Sequence, residues 1–251
     1  MNIVKKLSLI LAVLFVFLSV SSALAALMDK DAFIVGTEST YPPYESRNEQ
    51  GELIGFDIDL MNIIADKLGK KVDWQDMAFD ALIPTLIAKR IDVVIAGMSI
   101  TEERAQKVSF SKPYEISVSA FITKEDSDIK DTAALNGKSI ATQIGTVQET
   151  FSHNIEGAEV KTFQKFDDCA REVLLGRVDA ALMDIPVAKE FVSQKDFVGK
   201  LKIAFEQVIT EGGKAISLNL DDKDVADKIS DIIDGLEESG ELQKLREKWG
   251  M

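Results

Sequence analysis

One pattern that occurs twice constrains this chain more than any other feature. Lys89-Arg90-Ile91-Asp92-Val93-Val94-Ile95-Ala96 is answered by Gly176-Arg177-Val178-Asp179-Ala180-Ala181-Leu182-Met183. Each copy follows an amphipathic stretch that ends in apolar residues, turns through an arginine, and enters an apolar run of strand length. A helix feeding a strand can recur by chance in any α/β chain. The copies lie roughly ninety residues apart, however, a spacing that suits one copy per lobe rather than a solenoid repeat. The expected fold is α/β, with one unit built twice.

Other segments keep the same rhythm. Apolar residues at 56, 60, 63, 64 and 68, followed by Gly69, predict a helix over 56–68 with a glycine cap. A second helix is expected from about Asp80 to Arg90 with Pro84 in its first turn, then a buried strand over Asp92–Ala96. Residues 117–123 and 202–210 read as two strands crossing between lobes, a two-stranded hinge. Helices over 224–238 and 241–249, separated by Gly240, would complete the first lobe. The expected division is a leader over 1–25, a first lobe from 26–117 and 209–251, and a second lobe over 118–208.

Lys5 and Lys6 precede an apolar run from Leu7 to Val20 that leads into Ala23-Leu24-Ala25, the pattern of a signal peptide cleaved after about Ala25. The alternative is a membrane anchor, but a span needs about 20 apolar residues and this run softens at Ser19, Ser21 and Ser22. With 29 basic against 42 acidic residues the chain carries a net charge of -13, which argues against nucleic acid as a partner and favours a self-repelling monomer. Cys169 is the only cysteine, so no internal disulfide is possible, and a free, buried thiol is expected. His153 is the only histidine, which removes a His-rich metal site and leaves little room for a Ser-His-Asp arrangement. No cofactor, metal or catalytic residue is expected.

In open α/β sheets ligands collect at the carboxyl ends of strands, which points to the residues after Ala96 and Met183. The first end offers Gly97, Met98 and Ser99, then Thr101 as a helix N-cap and Arg104 in the first turn. Arg104 could hold a carboxylate in a bidentate fork. Asp184 could accept from an ammonium, and Gly145-Thr146-Val147-Gln148 opens a further helix beside it. Together these groups match a zwitterion. The plainer alternatives are a surface ion pair with Glu102 for Arg104 and a helix cap before Pro186 for Asp184. Tyr41 and Phe79 could face each other across a cleft and sandwich a flat or cationic group with Glu38 near its tip, or each could be an ordinary core aromatic. Tyr44 is assigned to packing.

Gly55-Phe56-Asp57-Ile58-Asp59-Leu60, Asp80-Ala81-Leu82-Ile83-Pro84, Ser99-Ile100-Thr101-Glu102-Glu103-Arg104 and Gly145-Thr146-Val147-Gln148-Glu149-Thr150-Phe151 occur in this order. In these motifs, and over essentially all of the mature chain, the sequence resembles the amino-acid-binding family of periplasmic substrate-binding proteins. That family includes the lysine-arginine-ornithine and histidine binders of polar amino acid ABC importers. The resemblance implies a type II, two-lobed fold with a two-stranded hinge, a periplasmic location, no enzymatic activity, and an ABC permease as partner. It implies that Arg104 takes a ligand α-carboxylate with Ser99 and the Thr146 region, that Asp184 takes the α-ammonium with help from Gly97, and that Tyr41 and Phe79 flank the side chain. Glu38 stands where an Asp often meets a distal polar group, and Ala96, Met98, Gln143, Val147 and Gln148 complete the expected ligand-binding set. Glu38 is one methylene longer than that Asp, and Ala96-Gly97 replaces a frequent Ser-Ser. Arginine or lysine is the expected ligand, with glutamine, histidine or another polar amino acid as the alternative, and a dehydratase-like enzyme on the same fold as the rival class.

Overall fold

A computed structural model describes residues 27–116 and 118–251. The expected leader over 1–25 lies outside the described residues, as does Ser117. Among the described residues no helix is long and apolar enough to cross a membrane.

Strands, numbered in chain order, form two five-stranded sheets. The first contains β1 (Ala32–Thr37), β4 (Lys71–Asp76), β5 (Val93–Val94), β6 (Ser109–Phe110) and β12 (Ser217–Leu218), in the order β4-β1-β5-β12-β6. The second contains β7 (Ser119–Lys124), β8 (Ser139–Gln143), β9 (Glu159–Phe163), β10 (Ala180–Asp184) and β11 (Leu201–Gln207), in the order β9-β8-β10-β7-β11. β2 (Ser46–Arg47) and β3 (Leu53–Ile54) make a small separate hairpin.

The repeated sequence pattern is a repeated topology. β5 lies at the centre of the first sheet, parallel to β1 and antiparallel to β12; β10 lies at the centre of the second, parallel to β8 and antiparallel to β7. The aspartate of each copy does the same local work. Asp92 accepts from the Ile34 N–H at 3.0 Å and Asp179 from the Ser139 N–H at 2.8 Å, each satisfying a backbone donor where the neighbouring parallel strand begins. Each has a lysine beside it, Lys30 at 2.6 Å and Lys138 at 3.6 Å.

Helix boundaries follow from backbone demands. The first long helix spans Phe56–Lys67 and starts at Gly55, whose φ of 142° suits glycine alone. A Cβ there would lie 2.0 Å from the Tyr44 carbonyl oxygen. The expected helix near 80–90 spans Phe79–Ile87, so Pro84 is its sixth residue rather than part of its first turn. It stops because Lys89 turns left-handed, with φ 55°. The expected strand 92–96 reduces to Val93–Val94 by pairing, although the whole run is buried.

The two strands expected to cross between lobes, over 118–123 and 202–210 among the described residues, do lie side by side. β7 and β11 pair with each other inside the second sheet, and Ala120, Phe121 and Ile122 are fully buried, as a strand with a neighbour on both sides and a covered face must be. The chain crosses between the sheets just before β7 and just after β11. There Lys214 donates its N–H to the Glu115 carbonyl at 2.8 Å and accepts from the Tyr114 N–H at 2.9 Å. The C-terminal helices Lys223–Glu238 and Glu241–Lys248 pack on the first sheet's side, through Val225, Ile229, Ile233 and Leu242. Cys169 is free and buried, and burial pushes its thiol well above its usual range.

Candidate functional site

The carboxyl ends of β5 and β10 face a narrow, nearly filled polar cleft between the sheets. Every expected ligand-binding residue except Met98 lines it: Glu38, Tyr41, Phe79, Ala96, Gly97, Ser99, Arg104, Gln143, Thr146, Val147, Gln148 and Asp184. Met98 points away, 1% exposed, into the apolar cluster of Leu82, Leu86 and Val108 and towards an adjoining groove.

Arg104 is placed by the short helix Glu102–Ala105, whose N-cap Thr101 accepts from the Arg104 N–H at 3.1 Å. Its guanidinium donates to the Ser99 carbonyl at 2.7 Å and, across the cleft, to the Gly145 carbonyl at 2.9 Å. Neither Glu102 nor any other carboxylate among the described residues lies within ion-pair distance of it. The guanidinium is mostly buried, and desolvation pulls its pKa down to about 10. A partly buried cation answered by two carbonyl dipoles and the Phe79 ring but by no carboxylate is under-compensated, and an incoming carboxylate would relieve that cost.

Asp184 ends β10 and begins the helix Ile185–Ser193, but its side chain does not cap that helix. It turns into the cleft and is 2% exposed. Oδ1 accepts from Ser119 Oγ at 3.1 Å and from Gln148 Nε2 at 3.0 Å, while Oδ2 accepts from the Tyr41 hydroxyl and the Lys214 ammonium. Glu38 is 5% exposed and accepts from Thr40 Oγ1 at 2.5 Å and, across the cleft, from Gln143 Nε2 at 3.3 Å. Burial raises its pKa, and those two neutral donors oppose the rise.

Tyr41 and Phe79 both line the cavity. Tyr41 also stacks on Tyr44 at 5.5 Å and meets Phe166 at 4.9 Å, and a face of Phe79 is covered by the Arg104 guanidinium at 5.5 Å. The Tyr41 hydroxyl donates to Asp184. Tyr44, assigned to packing from sequence, also presents its face to the Lys214 ammonium at 4.9 Å.

Three residues of the site were missed in the sequence. Phe166 and Glu45 line the cavity. Lys214 lies beneath it, fully buried, donating to the Gly97 carbonyl at 3.2 Å as well as to Asp184. A lysine at the head of the apolar run Ala215-Ile216-Ser217-Leu218 was the available signal, since a charge there must find a buried partner. Glu45 lies beside Asp57, which accepts from the Gly97 N–H at 2.7 Å and from the Tyr114 hydroxyl at 2.8 Å. As carboxylates, neither oxygen of Glu45 nor Asp57 Oδ1 would have a donor. Burial, reinforced by the Asp57 charge, drives the Glu45 pKa well above its ordinary value.

Two repeated α/β units with a polar cavity between their strand ends define a two-lobed solute-binding protein. Residues 33–251 match the model for bacterial extracellular solute-binding proteins, family 3, and the chain belongs to that family. It is 33% identical to the histidine-binding periplasmic protein of Salmonella typhimurium, over 98% of this chain and 96% of that one. Among solved structures, an ancestral arginine-binding protein bound to arginine is similar with a TM-score of 0.83 and 39% identity, over 88% of this chain and 98% of that one. The ancestral amino acid-binding protein AncCDT-1, described as a precursor of cyclohexadienyl dehydratase, matches with a TM-score of 0.81 and 30% identity, over 90% and 98% of the two chains.

Proposed function

We propose that this chain captures a polar, basic amino acid outside the cytoplasm and delivers it to a membrane ABC importer, without catalysing a reaction. The observation that carries the reading is the cross-cleft setting of Arg104, a buried guanidinium short of negative charge, opposite a lobe that supplies Gly145, Thr146 and Gln143. The names of the similar proteins, binders of histidine and of arginine, agree with it. Arg104 holds the ligand carboxylate, and Glu38 with Gln143 meets the cation of the side chain. The first lobe, 26–117 with 209–251, and the second, 118–208, close on the ligand after a leader has been removed near Ala25. A few charge-assisted bonds of about 1.5–3 kcal/mol each suffice for micromolar affinity, which needs about 8 kcal/mol net.

A thermal-shift screen of the twenty amino acids, ornithine, citrulline and their ω-amino relatives tests this. A raised melting temperature with members carrying a distal cation is expected, and no shift with any of them would overturn the reading. A second reading is chemistry on a bound carboxylate. Glu38 and Glu45, both carboxyls with raised pKa at the cavity, would serve as acid or base, and one similar structure is named as a precursor of a dehydratase. Turnover of a prephenate-type substrate would establish it.

A further inference from the structure

The charged groups at the cleft differ in what answers them. Among the described residues Asp184 accepts from at least four donors, about as many as a carboxylate can take, and one of them is the Lys214 ammonium. Lys214 in turn is fully buried, donates to the Gly97 carbonyl at 3.2 Å, and lies over the rings of Tyr44 at 4.9 Å and Tyr41 at 5.9 Å. The carboxylate that could receive a ligand ammonium is therefore already paired within the protein. Arg104 and Glu38 are not in that position. Among the described residues Arg104 donates to two carbonyls, and Glu38 accepts from neutral Thr40 and Gln143, with Lys165 acting on it through space without a hydrogen bond.

A ligand ammonium brought to Asp184 would have to displace a buried hydrogen bond. It would also come within a few ångströms of the Lys214 charge, where low polarity makes like charges repel strongly. The Lys214 backbone is held by Glu115 and Tyr114 at the crossing between the sheets, and among the described residues the groups near its side chain include the rings of Tyr41 and Tyr44 and the acids Glu45, Asp57 and Glu115, which keep its charge within the cleft.

We propose that Lys214 is a specificity-determining residue: its ammonium permanently fills the cation position at Asp184, so the cleft prefers a ligand with a carboxylate for Arg104 and a distal cation for Glu38 but no α-ammonium. The ligand class is an ω-amino or ω-guanidino carboxylic acid. This deepens the proposed function and rests on it in taking the cleft between the sheets as the site of an amino-acid-type ligand. A free α-ammonium becomes a liability here, because one positive charge is already built into the place it would occupy.

The test is titration calorimetry with two ligand pairs that differ only in the α-amino group: L-arginine against 5-guanidinopentanoate, and L-lysine against 6-aminohexanoate. The unaltered protein is expected to bind the analogue lacking the α-amino group at least tenfold more tightly in one pair or both. Lys214→Met, which keeps the length and removes the charge, is expected to reduce that preference at least tenfold or reverse it. Equal binding within both pairs, or tighter binding of the α-amino acids by the unaltered protein, overturns the inference while leaving the proposed function standing. If neither member of either pair binds, the inference fails, and the amino acid screen decides the proposed function separately. A folded Lys214→Met protein with an unchanged preference would remove Lys214 from the role. Should that variant not fold, the preference of the unaltered protein decides by itself.

Discussion

The two sheets share strand order, strand direction and the aspartate that opens the central strand, yet they diverge one residue past the repeated run. After Ala96 the first sheet continues with Gly97, and after Met183 the second continues with Asp184. Gly97 contributes only backbone, its N–H to Asp57 and its carbonyl to Lys214, and it can come that close because it has no side chain. A Cβ there, at φ 54°, would lie 3.0 Å from the Tyr41 ring. Asp184 contributes a charge, and Lys214 ties both strand ends together. The scaffold is duplicated and the chemistry begins where the copies stop matching. A second contrast lies between the cations: Lys214 is paired with a carboxylate within the protein, while Arg104 has no carboxylate partner among the described residues.

Removing the unmatched cation should have the largest effect. Arg104→Ala is expected to weaken ligand binding by about 100-fold or more, since at least two charge-assisted bonds are lost, while the melting temperature without ligand stays near that of the parent. Calorimetry with near-parental affinity would put the carboxylate elsewhere. Glu38→Gln sharpens the assignment of the other end. Ligands with a distal ammonium or guanidinium should lose about tenfold in affinity and neutral ligands little, whereas an equal loss for all would make Glu38 structural.

The shared aspartates test the duplication itself. Asp92→Ala and Asp179→Ala each strand a backbone donor and should each destabilise the fold by about 1–2 kcal/mol in denaturant titration. Asp92 should cost more, because its side chain is 11% exposed against 39% for Asp179. No loss from either would break the equivalence of the two units.

Glu45 gives the smallest effect, and its sign is fixed. Its pKa is raised well above the ordinary value in the folded protein, so the native state holds a proton that the unfolded chain releases. That contribution is full below the unfolded pKa of about 4.5 and is lost as pH rises towards the folded one. Glu45→Gln, which carries the hydrogen permanently, should flatten the decline of melting temperature over this range. A slope unchanged by the substitution would show that Glu45 is ionised in the native state.

Much of this was legible in the chain. The repeat announced two like units, Gly69 marked the end of the first helix, Thr101 was visible as the cap that places Arg104, and the residues after each central strand pointed to the cavity. The rest depended on contacts distant in sequence. β5, β6 and β12 have only two paired residues each, too few for a periodic signal. Lys214 finds Asp184 and Gly97 only because the crossing segment passes beneath both strand ends. Tyr41 stacks on Tyr44 and donates its hydroxyl to Asp184, a partner 143 residues away.

The central claim is that a ligand carboxylate is gripped by Arg104 between the two sheets. A crystal structure of the protein with its tightest-binding ligand from the amino acid screen measures this directly. The account predicts a carboxylate within hydrogen-bonding distance of the Arg104 guanidinium, and a ligand cation beside Glu38. A carboxylate bound away from Arg104, or a ligand seated outside the space between β5 and β10, would contradict it.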